Sequence, residues 1–240
     1  MQIQAPGRTG PQLNQLMEQT GEGRACLQNV CGQRYLAAGR AGFSLDIYGT
    51  PGNALGAWLD GCTIRVHGNA QDAVGDTMNS GSIRIEGMAG DAVGYAMRGG
   101  EIFVRDSAGY RCGVHMKASD RAQPLLVIGG TAGSFLGEYL AGGSILVLGI
   151  GAENRVPVGN FCGRGMYGGR IILRTRHLPP DLSSRLTVRT PRPEETGQLR
   201  QWVGRYCRMF ELPPLEVQPE DFQIIEPDSA NPCQRLYAGI

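Results

Sequence analysis

The sequence predicts an all-β fold: a right-handed parallel β-helix of about six to seven coils. A short helix precedes it, and a C-terminal helix plus an extended tail follow. Three observations lead there. Gly56, Gly75, Gly94 and Gly113 are each 19 residues apart, and the text around them repeats almost word for word: GNAQDAVGDTMNSGSIRIEG, then GMAGDAVGYAMRGGEIFVRD. Such a repeat is one supersecondary unit stacked on itself. An alternating apolar pair recurs in one column: Leu45/Ile47, Ile64/Val66, Ile83/Ile85, Ile102/Val104, Leu126/Ile128, Ile145/Val147 and Ile171/Leu173. That is the period of a strand with one buried face. The gaps between pairs are too short and glycine-rich for the helices of a doubly wound sheet. The hand follows from the rule for parallel crossovers.

Composition narrows the function. The chain has 240 residues and a net charge of +1, a balance that argues neither for nucleic acid nor for an anionic membrane. Its 37 glycines are about twice the usual share, and they sit at turn spacing. No stretch reaches the ~18 apolar residues of a membrane span, and the N-terminal residues carry no apolar signal segment. The expected compartment is the cytoplasm. The seven cysteines are scattered without a CxxC, which reads as reduced thiols rather than a metal site.

In chain order, residues 1–25 form an N-terminal segment, with a short helix predicted by Leu13, Leu16 and Met17. A degraded first coil begins near Cys26 and Ala37, each 19 residues before its counterpart, and the repeat domain runs over 26–176. Four residues after the first member of most pairs comes a turn glycine (Gly49, Gly68, Gly87, Gly130, Gly149). Seven residues further on stands the corner glycine: Gly56, Gly75, Gly94, Gly113 or Gly137, with Gly163 displaced by an insertion. Ladders of Leu, Val, Cys and Met flank each corner, as like packing on like requires. Residues 117–124 and 150–158 are insertions, expected as flank loops. Residues 177–240 hold a proline-rich linker, an amphipathic helix over 194–211 carrying Leu199, Trp202, Val203, Tyr206 and Cys207 on one face, and an extended tail anchored by Phe222, Ile224, Ile225, Leu236 and Tyr237. The helix is expected to cap the open end of the stack or to meet a partner.

A search for chemistry finds little. His67, His115 and His177 share no column and no metal-ligand spacing. Asp72 and Asp91 do share a column. Stacked carboxylates serve some sugar-cleaving enzymes, but aspartates bonding backbone N–H groups at a turn explain the pair as well. The glycine runs recur in every coil, as corners do and a single phosphate loop does not. Four late arginines, Arg164, Arg170, Arg174 and Arg176, read as a solvated face or as a receiver for an acidic partner.

The run G-x-x-G-x-x-x-G appears as GTPGNALG (Gly49, Gly52, Gly56), GMAGDAVG (Gly87, Gly90, Gly94) and GTAGSFLG (Gly130, Gly133, Gly137). With YGTPGNALGAWLDG, GYRCGVHMKA and the ending FQIIEP, it resembles the GXGXG-motif C-terminal domain of the glutamate synthase large subunit. More closely, it resembles the stand-alone subunit of archaeal-type glutamate synthase. The resemblance implies a β-helix with no active site, cofactor or metal of its own. In such a complex a glutamine amidotransferase subunit releases ammonia, and an FMN-binding, iron–sulfur synthase subunit consumes it with 2-oxoglutarate. The twelve motif glycines, Gly75, Gly113 and Gly163 included, would be structural corners. Three alternatives stay open: a subunit of N-methylglutamate synthase, a formylmethanofuran dehydrogenase C-like subunit, and a free-standing carbohydrate-active enzyme. Self-association is a further expectation.

Overall fold

Each 19-residue unit spends its β-branched alternation on one strand and the rest of its length on turns. A computed structural model describes residues 1–19, 21 and 23–229; Cys233, Leu236 and Tyr237 lie outside the described residues. The elements in order are β1 (Gln2–Gln4), α1 (Gly10–Gln19), β2 (Arg24–Cys31), β3 (Ser44–Thr50), β4 (Cys62–His67), β5 (Gly81–Ile85) and β6 (Glu101–Val104). There follow β7 (Leu125–Ile128), β8 (Ala141–Val147), β9 (Gly168–Arg174), β10 (Leu186–Arg189), α2 (Pro193–Met209), a single 3₁₀ turn (Pro219–Asp221) and β11 (Phe222–Pro227).

The eleven strands form one sheet in the order β1 to β9, then β11, then β10. Pairing is parallel through β9 and antiparallel across β9–β11–β10. This corrects the expected fold class. The chain is a large mixed, mostly parallel sheet with two helices, a sheet-based α/β arrangement, and not an all-β right-handed parallel β-helix of six to seven coils. The physical reason lies in the turns. Outside its one strand each unit joins the next through single-residue bridges, such as Ala70–Ala89–Ala108–Ala132, and through the separate hydrogen bonds of left-handed turns, so no further strand forms there. A helix of 17 residues also lies on the outer face of the sheet.

Register follows the repeat. Leu45, Ile64, Ile83, Ile102, Leu126, Ile145 and Ile171 stand directly opposite one another, and all are buried on the inner face. The first unit deviates. Leu45 pairs with Ala25 rather than Cys26, and an irregularity between Leu27 and Val30 takes up the extra residue, where Asn29 adopts φ 58°.

Helix α1 ends the stack. Its Leu13 and Met17 join the inner core. The Asn14 amide stands in for a missing earlier unit: its Nδ2 donates to Tyr35 O at 2.8 Å, and its Oδ1 accepts from Ala37 N at 2.9 Å. Helix α2 starts at Pro193 behind an Arg192 N–H that donates to Glu195 Oε2 at 2.8 Å. It does not cap an end. It lies across the outer face, where Leu199, Val203, Tyr206 and Cys207 form a second core with Phe103, Val127, Leu146 and Ile172.

Candidate functional site

The glycine-rich turns hold every second residue left-handed: Ala73, Gly75 and Thr77 in one unit, Arg111, Gly113 and His115 in another. Their N–H groups alternate in direction. Gly75 N donates back to Leu55 O at 2.8 Å, while Ala73 N and Thr77 N donate forward to Asp91 O and Tyr95 O, each at 2.8 Å. Gly56, Gly94, Gly113, Gly137 and Gly163 donate backward in the same way. An anion cradle needs several convergent, unspent N–H groups; here these donors are committed to neighbouring units. At Gly75 and Gly113, φ is +67° and a Cβ would overlap the Cδ1 of Ile102 or Ile145, so backbone sign and core packing both demand glycine there.

Six other motif glycines meet the preceding unit. A Cβ on Gly90 would overlap the Asp72 carboxylate; Gly87 stands against Asn69, Gly130 against Ser107, Gly133 against the backbone at Gly109 and Tyr110, Gly52 against Gly32 O and Gly49 against Val30. Those polar side chains form a second ladder. Asp72 Oδ1 accepts from Asp91 N at 2.9 Å, Asp91 Oδ1 from Tyr110 N at 2.8 Å, and Ser134 Oγ from Asn160 N at 3.0 Å. The two aspartates therefore bond backbone one unit ahead, and serine continues the column in the same role.

The three histidines have separate fates. His177 is exposed, with its backbone bonded to Thr175 Oγ1. His115 stacks on Tyr139 at 5.3 Å. His67 sits in a charged cluster on the outer faces of β3, β4 and β5. Its Nδ1 lies 3.0 Å from Glu86 Oε2 and its Nε2 3.2 Å from Asp46 Oδ1, and its ring stacks on Tyr48 at 4.2 Å. Arg24 bonds Asp46 at 3.0 Å, and Arg65 and Arg84 reach Glu86 at 2.6 and 2.8 Å. Burial opposes ionisation of both acids. Bonds from Arg24 and His67 outweigh it at Asp46, those from Arg65 outweigh it at Glu86, and both carboxyls are held below their usual range. A groove of about 450 Å³ opens beside the cluster, lined by Met1, Arg24, Cys26, Tyr48, Arg65 and His67.

Sequence reasoning missed this cluster because it followed the inner column. The outer one carried the signal: Asp46-Ile-Tyr48, Arg65-Val-His67 and Arg84-Ile-Glu86 sit in register. With both imidazole nitrogens facing carboxylates, the cluster fixes a structured, ion-paired surface beside the groove.

The late arginines do not form one patch. Arg164 lies over the Phe161 ring, Arg170 over Trp202, and Arg176 pairs with Asp221 at 2.7 Å. Burial pushes the Cys112 and Cys162 thiols up to about 12, which keeps them protonated. Among the described residues no His, Cys, Asp or Glu group is arranged to hold a metal, and no helix is long and apolar enough to cross a membrane.

Comparison with known proteins follows the repeat. The profile of the GXGXG motif family matches residues 23–217. An uncharacterized protein of Methanocaldococcus jannaschii is 40% identical over 219 residues, covering 88% of this chain and 84% of that protein.

Proposed function

Because the chain belongs to the GXGXG motif family, whose members include glutamate synthase-like domains, we propose that it is a non-catalytic structural subunit of a glutamate synthase complex. It would hold a glutamine amidotransferase subunit and an FMN-binding, iron–sulfur synthase subunit in fixed relation. The observation that carries this reading is the family match over residues 23–217. The geometry is consistent with it. The motif glycines and Asp72 and Asp91 are spent on stacking one unit upon the next, and that suits a part whose work is to keep others in place. In this reading ammonia release belongs to the amidotransferase, and the flavin and iron–sulfur chemistry to the synthase subunit.

Co-expression of the three chains tests it. The expected result is a stable complex that forms glutamate from glutamine and 2-oxoglutarate with a reduced electron donor, and that loses glutamine-dependent turnover when this chain is left out. A chain that purifies alone in the presence of both candidates, or that turns over a carbohydrate by itself, overturns the proposal.

A further inference from the structure

The left-handed turn slots are filled in two different ways. In the middle units they hold Ala73, Thr77, Ala92 and Ala96; large side chains stand at both ends, singly as Tyr35 and Trp58 in the early units and as the cluster Arg111, His115, Phe135, Tyr139 and Phe161 in the later ones. A non-glycine residue in this conformation is disfavoured by about 1–2 kcal/mol, and alanine already makes the turn. The larger side chains recover little by burial, since Tyr139 is 47% and Phe161 39% exposed, with Tyr110 beside them at 53%. Backbone held in a disfavoured region to display exposed rings marks a functional surface.

The composition of that surface is aromatic and arginine-rich, like the centre of a protein interface. Phe135 and Phe161 stack at 4.9 Å, as His115 and Tyr139 do at 5.3 Å. Arg111 lies 4.8 Å over the Phe135 ring and Arg164 5.3 Å over that of Phe161. Among the described residues neither guanidinium has a carboxylate partner, so each keeps its charge for something outside the chain. We propose that this turn edge, built from the units of Arg111, Phe135 and Phe161, docks an acidic face of a partner subunit, whose carboxylates take Arg111 and Arg164 while its apolar centre covers the rings. Single-stranded nucleic acid fits less well, because bases need free ring faces and these rings already stack on each other and under arginine.

The inference rests on the complex reading for its partner, and the test separates the two. The probes are the purified amidotransferase and synthase subunits. The variants are the triple Phe135→Ala/Tyr139→Ala/Phe161→Ala and the double Arg111→Glu/Arg164→Glu. Ala54, Ala73 and Ala92 already occupy the slot of Phe135 and Phe161, and Ala96 that of Tyr139, so the triple variant retains the fold, checked by an unchanged thermal transition. The expected result is that each variant loses affinity for one subunit by about 30-fold or more, and that the salt dependence of wild-type binding reverses in the double variant. Wild-type binding with no loss in either variant overturns this inference alone. No wild-type binding to either subunit overturns both. A wild-type dimer split by the triple variant, or oligo-dT binding lost in it, assigns the surface to another occupant and overturns it too.

Discussion

The outer face of the sheet falls into two halves. On β3, β4 and β5 its central column reads Asp46, Arg65, Arg84; on β6 to β9 it reads Phe103, Val127, Leu146, Ile172. Inner residues are equally buried behind both halves, so the repeat alone does not set the difference. Cover does. Helix α2 lies on the second half, with Tyr206 Oη donating to Arg105 O at 2.6 Å, and Gly129 leaves the room in which that phenol sits. The first half is partly open to water and pairs its carboxylates with arginines of its own. Arg84 marks the border, its guanidinium 5.0 Å from the Phe210 ring and its Nε buried without a partner among the described residues. One stacked framework thus carries two unrelated surfaces, each fitted to what lies on it.

The sharpest way to break this contrast is to exchange the halves' chemistry at one register position. Leu146 is fully buried under α2. Leu146→Asp places an unpaired carboxylate there and is expected to destabilise by more than about 4 kcal/mol, read as loss of a cooperative denaturation transition. Aspartate is native in the same column at Asp46. A Leu146→Asp protein that unfolds like wild type would mean that α2 does not cover this half.

The inner corners give the next largest effect and serve as the control. Gly75→Ala and Gly113→Ala, one behind each half, both need φ near +67° and both press on an isoleucine Cδ1. Each is expected to cost about 2 kcal/mol in chemical denaturation. At Gly94 the nearest atom to an added Cβ is 3.7 Å away, so Gly94→Ala should cost only about 1 kcal/mol, from backbone sign alone. Unequal effects at Gly75 and Gly113 would show that the halves differ inside as well as outside.

Much of this was written in the sequence, and the remainder was hidden for definite reasons. The period, the inner pairs and both helices are local signals, so the strands from β3 to β9 and α2 could be placed from periodicity. The single-sheet architecture could not. Whether the stretches between strands extend into further sheets depends on left-handed residues such as Ala73 and Thr77, and alanine and threonine announce no such conformation. The landing place of α2 was legible but passed over. Strands covered on both faces lose their alternation, as LLVI in β7 does while TIRVH in β4 does not. Strand β1 and the antiparallel β10–β11 end carry too few residues to show a period. The His67 cluster joins residues 19 to 22 apart whose meeting depends on register, not on any motif.

Acid should act on both halves, through different groups. At the covered end, Glu195 accepts from Arg189 at 2.6 and 2.8 Å, while Arg189 also holds Glu226 at 3.0 Å. The Arg189 bonds, against a smaller effect of burial, lower the Glu195 carboxyl to about 2 from its ordinary 4.5. A depressed carboxyl contributes stability that is fully present above the unfolded value and is lost as pH falls through the folded one. The loss therefore runs from about pH 4.5 down to about 2. The pair is partly open to water, so the loss is about 1–2 kcal/mol. Glu195→Gln should flatten that part of the stability–pH curve. An unchanged slope in this variant would move the acid sensitivity to the charged half, where Asp46 and Glu86 are lowered as well.

The smallest effect is expected on the exposed half. Arg65→Leu removes one of three cationic or imidazole neighbours of Glu86, but Arg84 at 2.8 Å and His67 at 3.0 Å remain. The Arg65 side chain is 40% exposed, and half-solvated ion pairs are each worth about 1 kcal/mol or less. Denaturation midpoints should then shift by less than about 1 kcal/mol, against more than about 4 kcal/mol for Leu146→Asp in the same column. The ratio is the useful quantity. A large loss from Arg65→Leu would mean that the charged network is as integral to folding as the layer under α2, and that the surface beside the groove cannot change without loosening the stack beneath it. A small one leaves β3, β4 and β5 free to vary their outer residues for a binding role while Leu45, Ile64 and Ile83 behind them hold the sheet.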